Sequence, residues 1–460
     1  MGKHSRRSFL AAGGAALAST IIGTRRVSAV DSTERYIVDT RDASPGALSG
    51  VEVVHDLDQI DIAVVRGSES DLAGVRAEPD LKLELSSKAG DSGPAVERDS
   101  KAGGPPENLG KGKKKTNDPL YDLQWDKQAQ DVPAVHTKTR GEGTSVAIID
   151  SGILPGHPDL QSLNEDLSRN FTSDGGTFAP VDSDHGTHCA GIVAATDDNG
   201  EGVVGTAPGA ELLGLRVFSG PYANLGDILA AIVYAGDVEA DVANLSLGAY
   251  PVPKGTEAAE VRIEGYTRAA NYANSQGTLM VAAAGNDSAN LDTDGDVISL
   301  PNEVDNYMSI SATGPIGYRW GGPGNGNAQK KRNYHAALNH VQDETWSPAF
   351  YTNYGESAVD ISAPGGDADL EALAEIDAAK YDLVLSTTFD DSFAPTYSWK
   401  AGTSMAAPAV SGVAALIRSL APDMSPQEVR EHLIETATPR DPTYHGEGHL
   451  DTKAALDALE

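Results

Sequence analysis

From residue 117 to the carboxyl terminus, short apolar runs alternate with helical segments, and no other feature restricts the fold as much. Ser145-Val146-Ala147-Ile148-Ile149 lacks the polar interruptions of a half-exposed strand, so it reads as a strand buried on both faces. Residues 212–218, 241–247 and 278–284 read as further strands, with helices at 227–235 and 257–274. This alternation predicts an α/β domain over 117–460, a mostly parallel sheet with helices on both faces. No internal repeat is evident. Two stretches read as loop insertions: 317–350, rich in Gly, Asn and aromatics, and 366–381, acidic and Ala-rich.

The residues before 117 divide into three parts. Ser5-Arg6-Arg7-Ser8-Phe9-Leu10 precedes an apolar Ala/Gly-rich stretch, and Val27-Ser28-Ala29 offers small residues at the spacing of a cleavage site. Residues 1–29 therefore read as a twin-arginine-type export signal, and the expected location is extracellular. The stretch is too short for a comfortable membrane span, and no other segment reads as long and apolar enough. Residues 31–86 read as a small α+β domain, with strands at 36–38, 51–54, 60–65 and 81–85 and a short helix at 69–77. Residues 87–116 hold Gly103-Gly104-Pro105-Pro106 and a basic run from Lys111 to Lys115, and they read as a flexible linker.

Charge narrows the partners. There are 67 acidic and 35 basic residues, a formal net charge of −32. Such a surface repels nucleic acid and anionic membranes, so neither is an expected partner. It reads as adaptation to concentrated salt, because molar salt cuts the screening length to about 3 Å. The single cysteine, Cys189, excludes an intrachain disulfide and any multi-cysteine metal site. An exported chain without disulfides gains stability elsewhere, and bound calcium is one common route.

Hydrolysis by a serine needs a base for the hydroxyl, an acid to orient the base, and donors for the oxyanion. Asp150 follows Ala147-Ile148-Ile149, at the carboxyl end of a central strand, where open α/β sheets build their sites. Elsewhere an Asp in that place is an ordinary turn residue. His185, in Asp184-His185-Gly186-Thr187-His188-Cys189, opens a run of small residues that reads as a buried helix. His185 and His188 also stand three apart, but no acidic or cysteine partner stands at a usual ligand spacing on that helix. Cys189, one turn from His185, reads as a small core residue whose bulky modification would disturb the histidine. Ser404, in Gly402-Thr403-Ser404-Met405-Ala406-Ala407-Pro408, stands at a helix amino terminus; in isolation it would read as a cap. Asn286, after Ala283-Ala284-Gly285, ends another strand and offers a side-chain amide as a second oxyanion donor.

Together, in the order Asp, His, Asn, Ser, these segments resemble the subtilisin-like serine proteases over about residues 117–460. Asn244-Leu245-Ser246-Leu247-Gly248 and Gly446-Glu447-Gly448-His449-Leu450-Asp451 match the same pattern. The resemblance implies Ser404 as nucleophile, His185 as general base, Asp150 as its orienter, and Asn286 with the Ser404 N–H as oxyanion hole. It implies Ser246, Leu247 and Gly248 as the strand that pairs with an extended substrate, and Ala283, Ala284 and Gly285 as a wall of the primary specificity pocket. The base of that pocket is not placed, because the chain departs from the pattern after Asn290. The segment 31–86 is similar to the family's inhibitory pro-region, so the chain's own pro-domain is an expected intramolecular partner, and Asn117-Asp118-Pro119 looks like a mature start. The export signal and acidity resemble the halolysins. By similarity to thermitase-like members, calcium would be held by Asp118, Asp159 and Asn199 side chains and by Thr196, Glu201 and Val203 carbonyls.

The expected activity is that of a monomeric, secreted, broad-specificity serine endopeptidase acting on polypeptides. Two other readings are a protease dedicated to one precursor and an inactive binding module on a protease fold. Activity on casein separates the first from both.

Overall fold

The computed structural model describes residues 35–84, 116–317 and 344–460, apart from residues 42, 45 and 376. The expected export signal, residues 87–115 of the expected linker and residues 318–343 of the first insertion lie outside the described residues.

The amino-terminal part is a four-stranded antiparallel sheet built from β1 (Arg35–Asp39), β2 (Glu52–Leu57), β3 (Ile62–Arg66) and β4 (Arg76–Pro79), in the order β2-β3-β1-β4. No α-helix forms among its described residues. The short helix expected at 69–77 is one 3-10 turn, Glu69–Leu72, followed by β4. Ser68 and Asp71 form a capping box that satisfies that single turn. Gly74, at φ +93°, then turns the chain into the strand. The next strand, β5 (Lys82–Glu84), leaves this sheet altogether.

The large sheet has seven parallel strands: β6 (Ser145–Asp150), β7 (Arg169–Asn170), β8 (Glu211–Arg216), β11 (Val242–Leu245), β13 (Leu279–Ala283), β15 (Tyr307–Thr313) and β16 (Ile361–Pro364). Their order is β16-β15-β13-β11-β6-β8-β7. Between β8 and β11 lie β9 (Phe218–Ser219) and β10 (Tyr222–Asn224), and β5 pairs antiparallel with β10. Two antiparallel pairs complete the strands, β12 (Ala249–Pro253) with β14 (Val297–Leu300) and β17 (Val384–Phe389) with β18 (Pro395–Lys400).

Strand periodicity divides the core in two. Val146 and Ile148 of β6 face one apolar cluster, while Ala147 and Ile149 face the other. The first cluster is covered by α1 (His185–Ala194) and α4 (Thr403–Leu420), the second by α2 (Leu225–Asp237) and α3 (Glu257–Ser275). Gly191 lets α1 approach the β17–β18 pair, since a Cβ there would stand 2.2 Å from the Thr387 hydroxyl. Helix α4 is apolar and long enough to cross a membrane by composition, contrary to the expectation above, but 78 % of it is buried inside this fold. The second insertion is not all loop: Leu370–Glu375 is helical. The small sheet uses the same two-sidedness. Ile37 and Ile62 join the cluster under α2 and α3, and Tyr36, Val38 and Ala63 form a separate cluster on the other face.

Candidate active site

Three adjacent strands end at one edge of the large sheet and deliver polar groups to one cleft. Strand β6 ends in Asp150, β11 runs into Ser246, and β13 runs through Ala284 and Gly285 to Asn286. Helix α4 points its amino terminus at the same place, with Ser404 as its second residue.

Asp150 is fully buried, and both its carboxylate oxygens lie 2.9 Å from His185 Nδ1. The Ser151 N–H donates to the same carboxylate at 2.6 Å. Burial pulls the His185 imidazole toward neutrality, but the Asp150 carboxylate overrides it and holds the proton well above the usual histidine range. The Cys189 Sγ lies 3.9 Å from His185 Nδ1 and 3.4 Å from the Ser404 carbonyl, to which it donates. Burial raises the thiol pKa, so Cys189 stays neutral, and Asp150 is the charge that acts on the ring. Asp150, His185 and Cys189 bring their ligating atoms within 4.8 Å of one another, a juxtaposition that the helix spacing had not suggested. His188 points away, its Nε2 3.2 Å from the Ser398 carbonyl.

The Ser404 hydroxyl donates to the Ser246 carbonyl at 3.2 Å. The Ser404 carbonyl is held by Ser246 Oγ at 2.8 Å, and that hydroxyl accepts from Asn244 Nδ2 at 2.9 Å. Asn286 is fixed by Thr403, whose N–H and hydroxyl both donate to Asn286 Oδ1 at 2.9 Å. Asn286 Nδ2 makes no hydrogen bond among the described residues. A Cβ built on Gly402 would lie 3.5 Å from both Asn286 Nδ2 and the Ser404 N, so the two nitrogens stand close to one spot beside Gly402.

The pocket beside Ser404 is lined by Ser246, Leu247, Gly248, Ala283, Gly285 and Asn286. Ala284 is buried behind that wall, and its carbonyl accepts Asn353 Nδ2 at 2.9 Å. Four residues that sequence reasoning had not singled out also belong here. Thr403 locks Asn286. Asn353, fully buried, accepts the N–H groups of Asp287 and Ala289 and so shapes the turn after Asn286. Ser299 and Tyr250 line the pocket. Thr403 was readable from its motif, and Tyr250 stands two residues after Gly248; Asn353 and Ser299 come from segments that carry no local signal.

The residues expected to hold calcium fall in one loop region. Asp118 and Asp159 are buried, and Asn199 Nδ2 donates to Asp159 Oδ1 at 2.7 Å. The N–H groups of Asp198, Asn199 and Gly200 donate to Asp118. Thr196 donates its N–H to the Asp159 carbonyl, Glu201 donates to Asn199 Oδ1, and Val203 donates to Asp159 Oδ2. Asn199 Oδ1 thus accepts one N–H within the loop and keeps a second lone pair.

Residues 141–454 match the Subtilase family. Subtilisin Savinase from Lederbergia lenta is 31 % identical over 342 residues, covering 72 % of this chain and 98 % of that one. Halolysin from Haloferax mediterranei is 30 % identical over 347 residues, covering 74 % of this chain and 54 % of that one. The crystal structure of the epidermin leader peptide processing serine protease from Staphylococcus aureus superposes with a TM-score of 0.68 at 21 % identity, covering 93 % of this chain and 99 % of that one. With this sheet, this cleft and these relatives, the chain belongs to the subtilase family of serine endopeptidases.

Proposed function

We propose that the chain is the precursor of a secreted endopeptidase in which Ser404 attacks the peptide carbonyl and forms an acyl-enzyme. His185 Nε2 takes the hydroxyl proton and later returns it to the leaving amine. Asp150 keeps the Nδ1–H in place and stabilises the imidazolium. Asn286 Nδ2 and the Ser404 N–H receive the oxyanion. A water then attacks the acyl carbon, with His185 as base. The observation that carries this reading is a histidine bound by a buried carboxylate, on the cleft where Ser404 and the Asn286 amide also stand. An extended substrate that pairs with Ser246 competes for its carbonyl and releases the Ser404 hydroxyl toward His185. Main-chain pairing of this kind suits many sequences and supports broad specificity outside the primary pocket. Labelling of Ser404 by a fluorophosphonate, together with casein hydrolysis, tests the reading; an unlabelled, inactive mature protein refutes it.

Asn286→Ala is expected to fold and to lose roughly two to three orders of magnitude in kcat, with little change in KM. The magnitude is that of an oxyanion amide removed from a subtilisin. A loss confined to KM would make Asn286 a binding wall instead.

The base must be neutral to accept a proton, and Asp150 raises the pKa of His185. Activity is therefore absent at low pH and rises with pH through that raised value. The acid limb of kcat/KM should lie above the ordinary histidine value of about 6.5. A limb below that value would show that Asp150 does not control the ring.

The small amino-terminal domain is read as an intramolecular inhibitor. It packs on α2 and α3, and its last strand β5 pairs with β10. Glu84, at the end of β5, reaches the pocket that contains Ser404.

A structural calcium ion is proposed at Asp118 and Asp159. Burial, in the main, pushes Asp159 up to about 6, and Asp118 adds to it by repulsion. Asp197 is excluded, because Arg140 and His136 already pair with it. Two buried carboxylates with an adjacent carboxamide suit a hard divalent cation, which would offset their repulsion. Chelation should shorten the half-life of thermal inactivation several-fold and lower the unfolding midpoint, with the initial rate unchanged; a site filled to 100 Kd adds about 2.7 kcal/mol. An unchanged midpoint in excess chelator removes the assignment.

A further inference from the structure

We infer that Lys400 and Asp184 are positioning residues for the reaction, an ion pair that fixes the His185 ring relative to Ser404. This rests on the endopeptidase reading above and adds the device that sets the distance for proton transfer.

Asp184 stands immediately before α1, where an Asp side chain commonly accepts an N–H of the first helical turn. The Asp184 side chain makes no such bond. Its Oδ1 lies 3.0 Å from Lys400 Nζ instead. The two side chains are 25 % and 9 % exposed, so salt screens their attraction much less than it screens a surface pair. The carboxylate is thus diverted from the cap it would ordinarily make to a partner more than two hundred residues away, roughly the full span between the two motifs.

The two ends of this bridge adjoin the two reacting side chains. Asp184 directly precedes His185, and Lys400 ends β18, four residues before Ser404. The β17–β18 pair also grips α1 just beyond the histidine. Ser386 Oγ donates to the His188 carbonyl at 2.8 Å, and Thr387 Oγ1 donates to the Thr187 carbonyl at 2.7 Å. Those bonds hold the helix backbone, and the ion pair holds the point where the helix starts. The Lys400 charge is felt in that first turn: burial first, then Lys400 and then His185, push the His188 imidazole well below the usual histidine range. His188 therefore stays neutral and does not compete with Lys400 for Asp184.

The chemistry needs this control. Asp150 anchors the ring at Nδ1, while the Ser404 hydroxyl donates to the Ser246 carbonyl. For proton transfer His185 Nε2 must come within about 2.6–3.2 Å of that hydroxyl. The approach depends on how far the start of α1 stands from the start of α4, and the Lys400–Asp184 pair spans those two points. A misplacement of about 1 Å at a reacting centre costs about a hundredfold.

The test measures Lys400→Met, Asp184→Asn and the double variant as mature enzymes, with active sites counted by complete labelling with a fluorophosphonate. Methionine removes the charge at nearly the same length, and asparagine keeps the volume and can itself cap α1, so both variants are expected to fold. Each single change should lower kcat per labelled site by about tenfold to a hundredfold, with KM unchanged. The rate at which the fluorophosphonate labels Ser404 should fall with kcat, because that reaction uses the same proton transfer. The double variant should lose no more than the worse single, since one interaction cannot be removed twice. Fewer labelled sites, each turning over at the wild-type rate, would make the pair a stabiliser of the fold alone and overturn the inference. An unchanged kcat, a loss confined to KM, or losses that multiply in the double variant would overturn it too. A wild-type enzyme that cleaves no peptide, with Ser404 unlabelled, would instead bring down the endopeptidase reading and this inference with it.

Discussion

Replacing Ser404 with alanine should lower peptide hydrolysis by on the order of a million-fold, a magnitude taken from a subtilisin, and leave the precursor uncut. The substitution removes one oxygen. That oxygen makes a single hydrogen bond, to the Ser246 carbonyl, which still lies beside the Asn244 and Ser246 network. The backbone contacts of residue 404 are kept, because its carbonyl is held by Ser246 Oγ and Cys189 Sγ. The fold therefore survives while the nucleophile is lost. The oxyanion donors remain, so some acceleration over water persists. Intact mass and a peptide assay on the purified variant read both effects. Processing of the variant precursor at the wild-type rate would show that Ser404 is not the nucleophile that cuts it.

The parts of this site that sequence made visible are those where one short motif carries both the element and the chemistry. Asp150 is legible because a strand buried on both faces ends in a carboxylate. Ser404 is legible because a helix of small residues begins there. Asn353 is different. It controls the turn after Asn286 from a position 67 residues away, and nothing near it in sequence distinguishes it from a loop asparagine. The segment 69–77 was misread because its polar residues serve a capping box for one turn only, and Gly74 ends that turn. The strand at β5 was legible from the alternation of Leu81, Leu83 and Leu85, but its partner was not. Alternation reports that one face is buried, and a strand reads the same whether it joins its own sheet or the edge of another. The whole placement of the small domain follows from that missing fact.

The same placement predicts that Arg35→Ala loosens the small domain by roughly two to four orders of magnitude in affinity. Arg35, on β1, donates to Asp227 of α2 at 2.7 and 3.2 Å and lies 3.0 Å from Asp80. The Asp227 and Asp80 side chains are essentially inaccessible, at 0 % and 1 %. His55 Nε2 is also 2.8 Å from Asp227. One guanidinium thus compensates two buried carboxylates at the interface. Burial pushes Asp80 up to about 6 even with Arg35 beside it. Removing one partner from a buried ion pair costs about 3–5 kcal/mol, because the remaining charge stays desolvated. The second charged contact behaves differently. Arg76 with Glu264 at 2.6 Å and Arg41 with Glu264 at 3.2 Å are partly exposed, so breaking either should cost about 1 kcal/mol or less. The measurement uses a full-length precursor carrying Ser404→Ala, cut by trypsin in the 87–116 segment, with retention of the small domain followed by gel filtration and dilution. Arg35→Ala should release it at concentrations where Arg76→Ala does not. Equal retention of all three proteins would mean that apolar packing under Ile37 and Ile62, and not the buried ion network, holds the domain in place.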